Sequence, residues 1–329
     1  MKVSAYERVF ILLGVSLAVF SSLLVSAVFG AESDFPKKEV TLIVGYQAGG
    51  GRDILARGVA KTMSKHLGFP VVVLNEPGAG GARGLIHAYH AAPDGYTLIV
   101  GAATEILDQI LQKQEYDVKK FTYVGRAQTM AQFFFVKSDS PLKSVKDFKT
   151  FGKPIRHATF SLTAPHGVAA MILAEREKFP LVLIGGYQGV PGTIMGVIRG
   201  EAEFYGSQLS SSMSYVKAGQ IRPIAVLDTK RCPDFPDIPT LGEMGHKDLE
   251  VLSLDYWLMA PPQTPKARLQ ILENALMKTL KDPEFLTWAK GANVEPGPLS
   301  GEETAKMVMS LFNLFEPYKG TMEKYIMKK

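Results

Sequence analysis

The stretch that decides the fold is Glu39–Asp53, with the sequence EVTLIVGYQAGGGRD. Its first half is the apolar, β-branched run of a buried strand, and its second half is a glycine-rich turn. A helical pattern follows and Gly68 ends it, with one apolar face made of Ile54, Leu55, Val59, Ala60, Met63 and Leu67. A strand, a loop and a helix in this order begin a strand–helix–strand unit, which predicts a parallel sheet.

The same alternation continues along the chain. Further strands are predicted at Pro70–Asn75, which a loop and a short helix at Gly84–Ala92 follow, and at Tyr96–Val100. The pattern breaks at Ser138–Pro141, a second series begins at Val145, and a helical tail begins at Lys266. The sequence therefore predicts an α/β protein with two strand–helix series and largely parallel sheets.

Composition narrows the functional classes. The 329 residues are 46% hydrophobic and 21% charged, which argues against disorder and coiled coil. The net charge of +5 is small and no block of five like charges occurs, so nothing favours nucleic-acid binding. The single cysteine, Cys232, excludes an intrachain disulfide and a paired-cysteine metal or redox site.

The N-terminus has the pattern of a secretory signal peptide. Lys2 and Arg8 precede a stretch without charged residues that lasts from Val9 to Ala31. We therefore assign residues 1–30 to a cleavable signal, with cleavage after Ala27 or Gly30, and expect a periplasmic protein. The alternative is a retained anchor, because the uncharged stretch is long enough to span a bilayer.

Two loops between a strand and a helix could bind an anion. Gly49–Asp53 exposes backbone amides at a helix start, where the helix dipole favours negative charge. It is not a nucleotide P-loop, because no Gly-Lys-Ser/Thr follows, and Asp53 could simply cap the helix. Thr159–His166 holds three hydroxyls in the equivalent place of the second series, although Thr163 could be only a helix cap.

Signals for an enzyme or a metal site are weak. His87 and His90 are three residues apart without a third ligand, and His166 lies near serines without a Gly-x-Ser-x-Gly elbow. Gly78–Gly84 imitates a dinucleotide fingerprint, but Arg83 stands where the third glycine should be. We expect no catalytic residue, no metal and no cofactor.

Several blocks together resemble the extracytoplasmic solute receptors of tripartite tricarboxylate transporters, also called Bug receptors. The resemblance spans nearly all of residues 36–315, and these blocks carry it: the Val40–Val44 strand with its glycine-rich turn, Asn75–Gly81, Ala92–Leu98, Pro165-His166, Tyr187–Gly189, Lys217–Gly219, Phe235–Thr240 and Trp257–Pro265.

This resemblance implies a two-lobed fold of the periplasmic-binding-protein type II class, with a ligand cleft between the lobes. The implied lobes are residues 31–136 with 254–329, and residues 137–253. The chain would leave the first lobe near Phe135–Ser138 and return near Ser253–Trp257, and the C-terminal helices would pack on the first lobe. Ligand contacts would come from these side chains and their backbone: Tyr46, Ala48, Gly49, Gly50, Arg52, Asp53, Thr159, Ser161, Thr163, His166, Tyr187, Gln188 and Ser207.

Three positions depart from the pattern of the family. Gly45-Tyr46 stands where Pro-Phe is usual, Arg52 where Thr or Ser is usual, and Gly206 where Asp is common. A gained base and a lost acid favour a ligand with an extra negative group, such as a di- or tricarboxylate. The alternative is that Arg52 points to solvent.

The expected function is therefore capture of a small organic carboxylate, held largely by backbone amides and water, without catalysis. The resemblance implies delivery to one large and one small integral membrane subunit, and we expect the receptor itself to be a monomer. The alternatives are a ligand-sensing receptor for a signalling system and, less favoured, a secreted hydrolase.

Overall fold

The computed structural model describes residues 35–326, which form two lobes, each built around one β-sheet covered by helices. The predicted signal peptide lies outside the described residues. The strands of the first sheet are β1 (Val40–Val44), β2 (Val71–Asn75), β3 (Thr97–Gly101), β4 (Thr122–Gln128), β10 (Tyr256–Ala260) and β11 (Pro296–Ser300). Those of the second are β5 (Gln132–Lys137), β6 (Ile155–Ala158), β7 (Leu181–Ile184), β8 (Phe204–Gln208) and β9 (Ile221–Leu227).

The helices alternate with the strands, although the sequence did not predict the helix that follows β3. The first series supplies α1 (Gly51–Leu67), α2 (Ala82–His90) and α3 (Ala103–Leu111). The second supplies α4 (Pro165–Glu177), α5 (Gly189–Ile198) and α6 (Leu209–Lys217). The C-terminal helices are α7 (Lys266–Thr279), α8 (Pro283–Gly291), α9 (Gly301–Phe315) and α10 (Lys319–Ile326). Among residues 35–326, no helix has both the length and the apolar character to cross a bilayer.

Both sheets are mixed rather than largely parallel. The first has the order β11-β4-β10-β3-β1-β2, and β2 and β3 pair parallel with β1 as predicted. The second has the order β7-β6-β8-β5-β9, with β7 and β8 parallel to β6. Three strands run opposite to the others in their sheets: β5, by which the chain enters the second lobe, β10, by which it re-enters the first, and β11 at the edge of the first sheet. The parallel pattern therefore holds within each strand–helix series and ends where the chain changes lobe.

Helix α1 buries the face that its sequence predicts. Leu55, Val59 and Met63 are fully buried in the core of the first lobe. Ile54 is the exception, since 39% of its surface is exposed. Burial of this face fixes the direction of α1, and hence the position of the glycine-rich turn at its start.

The first crossing between the lobes comes earlier than the resemblance implied. The chain passes from β4 to β5 through Thr129–Ala131, because Phe133–Val136 of β5 pairs with β8 and β9 of the second sheet. The chain returns just before β10, and there Leu254 exchanges two backbone hydrogen bonds of 2.9 and 3.0 Å with Met130. The two crossings thus form a short hydrogen-bonded ribbon.

The C-terminal helices do not pack on the first lobe alone. Helix α9 packs on β4 and α3, but α10 contacts α3 in the first lobe and α4 in the second. The guanidinium of Arg176 in α4 donates a hydrogen bond of 2.7 Å to the hydroxyl of Tyr318, just before α10. The tail therefore connects both lobes, in addition to the two crossings.

Candidate functional site

A cavity of about 520 Å³ lies between the lobes. The first lobe contributes the loop after β1 and residues of α1 and α3, and the second contributes the loop after β6, the start of α5 and the end of β8. Both apolar and polar residues line the cavity: Tyr46, Gly50, Gly51, Arg52, Gly80, Ala102, Ala103, Thr104, Asp108, Gln132, Phe160, Ser161, Thr163, Ala164, Pro165, His166, Val190, Ser207, Gln208, Ser253, Leu254, Asp255 and Tyr256.

Five helices begin at this cavity. The wall contains the first residues or the cap of α1 and α3 in the first lobe, and of α4, α5 and α6 in the second. Of the five, only α3 receives a side-chain cap, from Glu105; the other four have none. Pro165 in α4 and Pro191 in α5 have no N–H group, but the other N–H groups of the first turns can donate to a ligand and carry the positive ends of the helix dipoles. Together they form an environment that attracts an anion.

Seven of the thirteen predicted site residues line the cavity: Tyr46, Gly50, Arg52, Ser161, Thr163, His166 and Ser207. The other six do not belong to its wall: Ala48, Gly49, Asp53, Thr159, Tyr187 and Gln188. Both glycine- and hydroxyl-containing loops therefore reach the cavity, but only through part of their length.

Asp53 and Thr159 organise the loops from behind. The carboxylate of Asp53 accepts hydrogen bonds from the Gly49 amide at 2.8 Å and from Arg57 at 2.9 Å, and it also accepts one from Asn75. The Arg57 hydrogen bond is the main cause that lowers the pKa of Asp53 to about 2. The buried hydroxyl of Thr159 donates to the Ser161 carbonyl at 2.6 Å.

Neither helix-cap alternative holds. The cap of α1 is Gly50, and Asp53 lies in its first turn. The cap of α4 is Ala164, and the Thr163 hydroxyl lies 3.4 Å from that of Ser161. Tyr187 turns away from the cavity, since its hydroxyl donates to Glu201 at 3.0 Å.

Arg52 is neither a free cation nor a solvent-facing side chain. Its guanidinium forms a buried ion pair with Glu105, and 10% and 2% of the two side chains are exposed. It also donates to the Thr104 hydroxyl at 2.6 Å and lies over the rings of Tyr46 and Tyr256, at 4.3 and 5.4 Å from their centroids. The positive charge expected at position 52 is thus compensated within the wall, which removes the argument from Arg52 for an extra negative group on the ligand.

Tyr46 connects two glycine-rich loops. Its hydroxyl donates to the Gly80 carbonyl at 2.7 Å, which brings the Gly78–Gly81 turn to the cavity. The close approach needs Gly45, because a Cβ built there would lie 2.7 Å from the Gly81 carbonyl oxygen. Gly45 and Tyr46, the two residues that depart from the family pattern here, thus both take part in the contact between the two loops.

His166 occupies the wall of the second lobe. It is 3% exposed, and its Nδ1 has no hydrogen-bond partner among the described residues. Burial lowers the pKa of His166 to about 4, so the ring is neutral at pH 7. A Cβ built at Gly206 would lie 2.2 Å from the Cβ of His166. The aspartate that is common in the family at position 206 would therefore collide with His166 in its present position.

Sequence reasoning missed the part of the wall that follows β3 and the crossings. Thr104 and Asp108 lie on α3, and Gln132 and Asp255 lie at the two crossings. The rule that ligands bind outside the carboxyl ends of strands would have found α3, had it been applied to β3 as well as to β1 and β6. Within residues 35–326, no three His, Cys, Asp or Glu side chains are grouped to hold a metal ion.

The comparison with known proteins identifies the family. A family model described as "Tripartite tricarboxylate transporter family receptor" matches residues 55–315. The chain belongs to this family. A UPF0065 protein of Agrobacterium vitis is 30% identical over 262 residues, which cover 77% of this chain and 74% of that protein.

Solved structures confirm the two-lobed fold. A TctC solute binding protein from Polaromonas superposes with a TM-score of 0.77 at 23% identity, covering 88% of this chain and 99% of that chain. The periplasmic binding protein BugD superposes with a TM-score of 0.66 at 26% identity, covering 87% of this chain and 98% of that chain. MatC from Rhodopseudomonas palustris with bound malate superposes with a TM-score of 0.67 at 23% identity, covering 88% of this chain and 100% of that chain. Members of the receptor family are periplasmic solute-binding proteins, as the sequence predicts for this one.

Proposed function

We propose that the protein captures a small organic carboxylate in the cavity between its lobes. The observation that carries this proposal is the convergence of four uncapped helix starts, those of α1, α4, α5 and α6, on one cavity. Their amides can hold a carboxylate without an arginine, and the one arginine in the wall is already paired with Glu105. Ordered water can complete the contacts, as it does in many polar binding sites.

The receptor acts outside the cytoplasm, where residues 1–30 direct it, and releases its ligand to a membrane transporter of the tripartite tricarboxylate class. Membership of the receptor family supports this partner. The proposed role is binding without catalysis, and membership of a family of solute-binding receptors supports it.

The test of capture is a thermal-shift screen of the purified protein. Mono-, di- and tricarboxylates, malate among them, are compared with their uncharged amides at equal concentration. A ligand present at 100 times its Kd stabilises the folded state by about 2.7 kcal/mol, which raises Tm by roughly 4 °C for a protein of this length. Shifts produced by amides and not by acids would refute the carboxylate proposal.

The test of delivery uses vesicles that contain the large and small membrane subunits. Uptake of the radiolabelled ligand from the screen should require the receptor and an ion gradient. Receptor-independent uptake, or a ligand-dependent signalling response without uptake, would refute the transport role.

A further inference from the structure

One carboxylate in the cavity wall has no partner. Asp108 lies on α3, lines the cavity and is half-buried. Its carboxylate accepts no hydrogen bond and forms no ion pair with any residue between 35 and 326. Other acids near the cavity are matched: Glu105 pairs with Arg52, and Asp255 pairs with Arg126 at 3.2 Å.

The neighbours of Asp108 are already engaged. The guanidinium of Arg52 donates to Glu105 and to the Thr104 hydroxyl at 2.6 Å, and its charge attracts Asp108 without a hydrogen bond. The second oxygen of Glu105 accepts the Ala102 amide at 2.7 Å. These groups satisfy one another within the wall. Burial, together with the nearby charge of Glu105, raises the pKa of Asp108 to about 6, so at pH 7 its carboxylate is largely ionised and can interact with whatever occupies the cavity.

The opposite wall also offers a polar group without a partner. His166 is 3% exposed, lines the cavity, and leaves Nδ1 unbonded. The same lining also contains the uncapped helix starts that suit an anion and the apolar surfaces of Phe160, Val190 and Leu254. A ligand that satisfies all of these needs a carboxylate and also a group that donates hydrogen bonds.

We propose that the ligand carries a protonated amine beside its carboxylate, as an amino acid does, and that Asp108 receives the ammonium group. This inference rests on the proposed capture of carboxylates. A plain dicarboxylate would leave Asp108 facing a like charge or unpaired in a closed cleft, and either arrangement costs free energy. An ammonium group removes that cost and forms a charge-assisted hydrogen bond. Asp108 would then determine which carboxylates bind.

The test compares pairs of acids that differ only by an α-amino group: succinate with L-aspartate, glutarate with L-glutamate, and 3-phenylpropionate with L-phenylalanine. Calorimetric titration gives Kd for each with the wild type, with Asp108→Asn and with Glu115→Gln. Glu115 is exposed and outside the cavity, so its substitution removes the same charge elsewhere. Melting curves of all three proteins without ligand establish that they are folded.

We expect at least one amino acid to bind the wild type more than tenfold tighter than its partner without the amine. Asp108→Asn should reduce that ratio of Kd values at least tenfold, mainly by weakening the binding of the amino acid. Glu115→Gln should leave the ratio within twofold of its wild-type value.

An unchanged ratio in Asp108→Asn, tighter binding of the partners without the amine, or no binding by any of the amino acids would overturn the inference. If carboxylates bind without a preference for the amine, the proposed function stands and only the role of Asp108 fails. Binding by non-acids alone would refute both.

Discussion

Replacing Arg52 should destabilise the protein strongly, because its charge is paired inside the wall. Arg52→Met keeps much of the apolar stem of the side chain but removes the partner of Glu105, whose side chain is only 2% exposed. Breaking a buried ion pair by removing one partner typically costs 3–5 kcal/mol, since the other charge stays buried without compensation. We therefore expect Arg52→Met to lower the free energy of unfolding by about 3–5 kcal/mol.

Urea unfolding at pH 7 measures this loss, and two further variants establish its origin. In Arg52→Met/Glu105→Gln the uncompensated charge is gone and the glutamine can still accept the Ala102 amide, so most of the loss should be recovered. Arg57→Met is the matched control. Arg57 lies on the same helix and also forms an ion pair, but 54% of its side chain is exposed. We therefore expect this substitution to lower the free energy of unfolding by only about 1 kcal/mol or less.

A loss in Arg52→Met no larger than that in Arg57→Met would refute the buried pair. So would a double variant that is no more stable than the single one. The result also bears on ligand titrations, because a distorted cavity wall weakens the binding of every ligand. Equal losses of affinity across a series of acids would then report on the wall and not on recognition of charge by Arg52.

Two further predictions concern groups that support the cavity. Because the native pKa of Asp53 is lowered from 3.8 to about 2, its contribution of roughly 2 kcal/mol is complete above pH 4 and is lost as the pH falls towards 2. Urea midpoints should therefore separate wild type from Asp53→Asn widely at pH 7 and less at pH 2.5; an equal separation would contradict this. Gly206→Ala should cost about 1–3 kcal/mol by overpacking against His166, and His166→Gly, which removes the Cβ that would lie 2.2 Å away, should relieve it. Thermal melts in which the double variant shows only additive losses would exclude that contact.

Local patterns in the sequence predicted the elements well, because burial on one face leaves a periodic trace. The run at Val40–Val44 and the helix after it are confirmed, as is the helix at Pro283–Gly291. Strand β11 was not predicted, since Pro296 and Pro298 oppose strand formation, but it lies at the edge of the sheet, where proline is tolerated.

Relations between distant segments could not be predicted in the same way. The phenylalanine-rich run of β5 has the same pattern in either sheet, so the crossing at Thr129–Ala131 has no local signal. Glu105 is 53 residues from Arg52 in sequence, and no spacing rule pairs them. For the same reason the sequence identified the loops that reach the cavity but did not separate wall residues from residues such as Asp53 that brace the loops.

The order of the strands determines when the chain can acquire its cavity. Strand β10 lies between β3 and β4 in the first sheet, yet it is synthesised after the whole second sheet, β5 to β9. Until Tyr256–Ala260 emerges, the first lobe has a three-stranded sheet, β3-β1-β2, with an open edge at β3, and β4 has no partner strand. Such open edges are prone to pair with other chains. The second lobe is continuous and can complete its sheet earlier during synthesis or export. A chain truncated before β10 should therefore aggregate through its first lobe, and the ability to hold a ligand is the last property that the folding chain gains.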